Sequence, residues 1–293
     1  MTITQDSSAP LVAVVGATGI QGGSVIDALA ESTKPYRIRG FTRDATKACF
    51  PNNVKDVFKA FEGANMTFET AEGKMMVDAA KAAGVKRVVW SGLPAVSKHS
   101  GGKYTHVIHF DGKAVVTEYA RQSGLPFVDV QAGYYASNLL IPSGKLGSAL
   151  VKQTDGSFAM RLPVKPTTSL PVLDAGHDYG LYVRRALEAP TFPDGSEVRT
   201  GEYITLEDMA LQLSQATGKK IVFEQITVEQ FEKGFEEAGM PPHVVLDWSD
   251  GFQALNEFGY YGGKATSNVE GLPRTPLSLI EFAKAADWSK VLM

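Results

Sequence analysis

The chain has 293 residues, 44% of them hydrophobic, enough to bury a substantial core in one or two domains. Its 29 basic and 32 acidic residues leave a formal charge of −3, which argues against direct nucleic-acid binding, since that needs a basic face. No apolar run reaches the roughly 18 residues of a membrane span, and a lone Cys49 excludes an internal disulfide and fits a reducing, cytoplasmic setting.

The opening MTITQDSSAP has neither the basic nor the apolar region of a secretion signal, so residues 1–9 are expected to be a loose tail. Leu11 to Val15 is a short apolar run, right for a parallel strand covered on both faces. Gly16, Gly19 and Gly22 follow at a spacing of three, and Ile20, Val25, Ile26 and Leu29 then fit a helical stripe. Strand, glycine turn and helix in this order suit a pyrophosphate. Glycine allows positive φ and close backbone approach, and the helix aims unpaired N–H groups at the anion. Gly16, Thr18, Gly19, Ile20, Gln21 and Gly22 are therefore the candidate phosphate cradle. A P-loop is excluded because no Gly-Lys-Ser/Thr closes the turn.

The next strand is expected within YRIRGFTRD, residues 36–44, with Ile38 and Phe41 apolar. Arg43 stands 21 residues after Gly22, where an NAD site usually offers an acidic side chain to the ribose 2′-hydroxyl. An arginine, with Lys47 assisting, suits a 2′-phosphate instead, so NADP(H) is favoured over NAD(H).

GATGIQGGSV followed by FTRD resembles the extended and atypical short-chain dehydrogenase/reductases, and within them the NmrA-like family. SGLPAVSKHSGGKY and HFDGKAVVTEYARQSGLPF strengthen the likeness, particularly to the NADPH-sensing members. The resemblance is tight over residues 11–44 and 69–140 and looser beyond. It implies an α/β fold: a Rossmann-type, doubly wound parallel sheet with a smaller α+β C-terminal domain. The dinucleotide unit would take residues 10–140 plus about 172–200, and the smaller unit about 141–171 plus 201–293.

After Arg43 the sequence departs from such relatives. The apolar positions of Val54 to Phe61 predict a helix, the third strand of relatives is largely missing, and MTF at 66–68 looks like the start of a strand cut short. Glu69 to Ala83 has helical spacing through Met75, Met76, Ala79 and Ala83, the methionines reading as core filler, and Gly84 ends it. Lys74 would be a surface charge but for the resemblance, which implies a place near the nicotinamide. Val85 to Trp90 is the next strand. Ser91 lies just past its carboxyl end, where ligands bind in doubly wound sheets.

The following helix has Val115, Val116 and Tyr119 on its apolar face. Short-chain dehydrogenases carry a serine and a Tyr-x-x-x-Lys pair; this chain has His109-x-x-x-Lys113. The lysine is retained and the tyrosine is not, and a spacing of four puts both side chains on one helix face. The resemblance implies Lys113 as a ribose or nicotinamide contact. His109 is a candidate proton donor, with a structural histidine as the alternative. With Ser91 these form the candidate catalytic set.

Residues 125–140 read as strand then turn, and the resemblance puts Tyr134, Tyr135 and Asn138 beside the nicotinamide. Later segments rich in Pro and Gly predict loops and short strands. Helices are expected at Asp174 to Leu187, after Thr205 and Thr227 from their capping patterns, and at TPLSLIEFAKAADW. Five scattered histidines without ligand spacing give no metal site.

Two functions follow. The leading one is an NADP(H)-binding redox sensor acting on a regulatory protein partner such as a transcription factor. The alternative is an NADPH-dependent reductase of a quinone, enone or isoflavone-reductase-like small-molecule substrate, using Lys113. Similar sensors imply a homodimer; the expected location is the cytoplasm, with the nucleus as a further option, and the lack of an apolar span predicts no membrane association.

Overall fold

The computed structural model describes residues 3–43, 56–59, 69–142, 150–189 and 194–293. It opens with the strand, turn and helix that the glycine pattern demands: β1 (Leu11–Val15), then α1 (Ile20–Ala30). Then come β2 (Arg37–Thr42), β3 (Asp56–Lys59), α2 (Glu69–Ala82), β4 (Val88–Trp90), α3 (Val96–His99), α4 (Ile108–Gln122) and β5 (Phe127–Gln131). A two-residue strand, β6 (Tyr134–Tyr135), runs into a 3-10 turn over Ala136–Leu140. β7 (Leu150–Lys152), β8 (Phe158–Leu162), β9 (Ser169–Leu173), α5 (Ala175–Glu188), β10 (Ser196–Arg199) and β11 (Glu202–Thr205) follow. The chain closes with α6 (Leu206–Thr217), β12 (Ile221–Gln225), α7 (Val228–Glu237), α8 (Pro242–Phe258) and α9 (Leu279–Ala285).

Two sheets are parallel throughout, in the orders β1-β2-β3 and β10-β5-β4. Alternate side chains of β5 explain the layering. Val128 and Val130 join a core with α1 and α5, whereas Phe127 points to the opposite face, where it meets Val77 of α2 and Val116 and Ala120 of α4. Helices on both faces make this a doubly wound α/β arrangement. A separate core gathers β8, β9, β12, α6, α8 and α9 around Met160, Leu206, Met209 and Leu213. Several helices start where their side chains cap them: the carboxylate of Asp174 accepts from the His177 N–H, and Thr205 and Thr227 accept from Asp208 and Gln230. Among the described residues no helix is long and apolar enough to cross a membrane.

Several sequence expectations need correction. Residues 56–59 of the expected helix Val54 to Phe61 are strand, pairing parallel with β2 from Arg39↔Asp56 to Thr42↔Lys59. Val57 and Phe58 suit either state, and the open edge of β2 decides it. A third strand is therefore present. The expected loose tail is anchored at Ile3, which is 3% exposed, bridges to Tyr36 and belongs to the α1–α5 core, while Gln5 to Ser8 are exposed. Among the described residues β1 is covered on one face, since Val14 is buried while Leu11 and Val15 remain about half exposed. α1 and α5 cover the Val14 side. Among the described residues, β1 pairs only with β2.

On α2 the buried stripe is Gly73 and Val77, not the methionines, and Met75 is 53% exposed. A Cβ at Gly73 would lie 2.6 Å from Val116, so α4 packs against the one position that lacks a side chain. Val115 likewise turns outward while Val116 is fully buried. Lys47, Cys49 and the expected strand start at 66–68 lie outside the described residues.

Candidate functional site

The glycine turn is closed by backbone bonds. The Gly19 N–H donates to the Gly16 carbonyl at 2.8 Å, and the Ala17 N–H to the Phe41 carbonyl of β2 at 3.0 Å. Gly16 has a φ of 72°, and a Cβ on Gly22 would sit 2.2 Å from the Gly16 oxygen, so neither position tolerates a side chain without rearrangement. α1 has Gly19 at its N-cap, with no side-chain cap and no acidic residue in its first turn. Its leading N–H groups and dipole are thus left for an outside anion. The hydroxyls of Thr18 and Thr42 lie 2.7 Å apart and tie the turn to the end of β2. Arg43 follows there, exposed. This tight cradle, with a cation beside it, fits a phosphorylated dinucleotide.

From Gln21 a cavity of about 500 Å³ extends between the β4–β6 region and α8. Its wall is mostly aromatic and aliphatic, with Phe110, Trp248, Phe258 and Tyr260 among the lining residues. Polar groups enter at a few points only. The Lys113 ammonium donates to the Ser91 carbonyl at 3.2 Å and lies 5.4 Å from the Trp90 ring centroid. Burial pushes the phenols of Tyr134 and Tyr135 up to about 12, opposed by hydrogen bonds with Asn138 and Gln21 respectively. Both are therefore neutral donors in the physiological range. Beneath this floor Tyr179, fully buried, donates to the Val130 carbonyl at 3.0 Å.

His109 lies in the cavity wall, edge-on to Phe110 at 4.8 Å between centroids and stacked on Trp248 at 6.1 Å. Its Nδ1 is 2.5 Å from an Asp247 carboxylate oxygen, an ion-pair distance, although the ring N–H is not aligned with that oxygen. The same carboxylate accepts from the backbone N–H of Ile108 at 2.5 Å and, more weakly, of His109 at 3.4 Å. α4 has no side-chain cap of its own, so Asp247 of α8 caps it across the molecule.

The structure thus brings Gln21, Ser91, His109, Lys113, Tyr134, Tyr135 and Asn138 to one cavity. Gly16 to Gly22 and Arg43 lie at the turn. Lys74 is not in the cavity lining: its ammonium lies 5.4 Å from the Tyr119 ring centroid, on the α2–α4 surface. Sequence reasoning missed α8 entirely, and with it Asp247 and Trp248. Val245, Trp248, Phe252 and Leu255 repeat at helical spacing behind Pro242 and would have revealed the helix. No local pattern marks Asp247 as a partner for residues 138 and 139 positions earlier.

The nitrogen metabolite repression protein nmrA of Emericella nidulans is 30% identical over 247 residues, covering 73% of this chain and 68% of that protein. A family profile described as the NmrA-like family matches residues 47–292. The chain belongs to the NmrA-like family. Another NmrA-like relative, the domain-containing oxidoreductase ptmS of Penicillium ochrochloron, is 26% identical over 302 residues and covers 88% of each chain. Among solved structures, Nmra, a negative transcriptional regulator crystallised with NAD, superposes with a TM-score of 0.74 at 22% identity, covering 97% of this chain and 100% of the other. Its complex with NADP gives 0.73 at 22% identity and 95% coverage of both. These likenesses establish the Rossmann-type α/β fold. The family holds regulators and oxidoreductases alike.

Proposed function

We propose that this NmrA-like chain binds NADP(H) at the Gly16–Gly22 turn and reduces a flat, apolar carbonyl compound of the quinone or enone class. The observation that supports this reading best is the aromatic cavity of about 500 Å³ that starts at Gln21 of the turn and has Lys113 and His109 in its wall. The amides of the turn and α1 would hold the diphosphate, and Arg43 the 2′-phosphate. Lys113 would hold the ribose, and Tyr134, Tyr135 and Asn138 would border the nicotinamide. When bound, the dinucleotide supplies the hydride; the protein orients the acceptor and keeps water out. In this reading the dinucleotide unit (residues 10–140 and about 172–200) and the smaller unit meet at the cavity.

A redox sensor is the second reading, with a transcription factor or other regulatory protein as partner and a homodimer as the working unit. It is favoured by the 30% identity to a nitrogen metabolite repression protein and by the histidine at the position of the usual tyrosine. NADPH consumption with a panel of quinones and enones separates the two. Turnover that is lost in Lys113→Ala supports the reductase. NADPH binding without turnover of any acceptor refutes it and leaves the sensor.

A further inference from the structure

His109 stands four residues before Lys113, the spacing at which short-chain dehydrogenases carry their tyrosine, and its two ring nitrogens meet different surroundings. The His109 Nδ1 and one oxygen of Asp247 are both enclosed, and among the described residues neither makes an aligned hydrogen bond. They face each other at 2.5 Å, so a small turn of the ring pairs them, and leaving two such polar atoms unsatisfied inside a protein is costly. Nε2 is different. It is not enclosed and has no partner among the described residues, and the ring belongs to the cavity wall. Phe110 and Trp248 hold the ring from two sides. Asp247 itself is 3% exposed and fixed by the backbone N–H groups that begin α4.

We propose that Asp247 is the positioning residue of His109, and that the pair takes the place of the missing tyrosine as proton donor to a ligand in the cavity. This inference rests on the reductase reading. The Asp247 carboxylate keeps a proton on Nδ1, so the proton that moves is the one on Nε2. During reduction of a quinone the hydride, with its two electrons, goes to one carbonyl oxygen, the ring turns aromatic, and the π pair of the opposite C=O moves to its own oxygen. That oxygen takes the Nε2 proton; the N–H bond breaks, its electron pair stays on the ring, and neutral His109 is reprotonated from water. Lys113, one turn further along α4, stays with Ser91 and does not compete for this task.

Asp247→Asn is the discriminating change because its amide oxygen can still accept from the Ile108 N–H, so α4 stays capped. With 1,4-benzoquinone as acceptor, the variant is expected to keep its NADPH dissociation constant and KM within about twofold while kcat falls at least about tenfold. His109→Ala should lose turnover with NADPH binding kept, and added imidazole should restore part of it. On the cofactor-free protein, 15N NMR should show Nδ1 still protonated when the ring is neutral, and Asp247→Asn should move that proton to Nε2. The pair is refuted by unchanged kcat in Asp247→Asn, by imidazole failing to rescue His109→Ala, or by an Nε2–H tautomer in the native chain. A native chain that binds NADPH and reduces nothing overturns the reductase reading itself, and the donor role with it.

Discussion

Asp129 of β5 is a carboxylate with no exposed surface, and replacing it with Asn should make the protein more stable at neutral pH than in acid, relative to the native chain. One oxygen accepts from Gln131 Nε2 at 2.9 Å and from the Thr117 hydroxyl at 3.4 Å; the other is enclosed without a hydrogen bond. Burial therefore dominates and pushes the carboxyl from 3.8 to about 6, against the Gln131 bond and the more distant Arg121. The native state thus binds this proton more tightly than the unfolded chain does. Stability from that difference is fully present below the unfolded value and is lost as pH rises through about 6, amounting to roughly 3 kcal/mol. The amide of Asp129→Asn cannot titrate, so urea denaturation of both proteins across about pH 4 to 8 isolates the group. The stability of Asp129→Asn minus that of the native chain should rise by roughly 2.5 kcal/mol over that range, the rest of the difference lying below pH 4. A flat difference, or one that falls, would show that the carboxylate is solvated or paired in a way the geometry lacks.

Gly22→Ala and Gly23→Ala form a matched pair in α1. A Cβ at Gly22 would lie 2.2 Å from the Gly16 oxygen, whereas one at Gly23 meets nothing within 4 Å. The first should cost about 1–3 kcal/mol or more and lower the melting temperature; the second should be neutral or stabilising by up to about 1 kcal/mol. Equal melting temperatures would contradict the close approach. Asp178 is fully buried on α5 and accepts from Arg274 Nη1 at 2.6 Å and the Leu277 N–H at 2.8 Å. Asp178→Ala removes its bonds to Arg274 and Leu277, leaves Arg274 with the His177 and Thr275 carbonyls, and should destabilise by about 1–3 kcal/mol, with protease cleavage appearing around residues 274–277; native-like stability and resistance would refute that anchoring role.

What the sequence made legible was local. The strand, glycine turn and first helix are written in consecutive residues, as are the caps at Asp174, Thr205 and Thr227, because each depends on partners within a few positions. The retained Lys113 and displaced tyrosine were visible for the same reason. What stayed hidden depends on distant contacts. The rotation of α2 follows from Val116 filling the gap at Gly73, which no periodicity in α2 records. Ile3 is held by Tyr36, and residues 56–59 became a strand because β2 offered an edge. The wall of the cavity needed α8, whose Asp247 reaches α4 from far along the chain.

The most direct measurement is calorimetric titration of the purified chain with NADPH and NADH, alongside Arg43→Ala. The native chain should bind NADPH more tightly than NADH, and Arg43→Ala should lose about 1.5–3 kcal/mol of NADPH affinity with little change for NADH. No heat with either dinucleotide would contradict a cradle at Gly16–Gly22, and equal losses for both would remove the 2′-phosphate from Arg43.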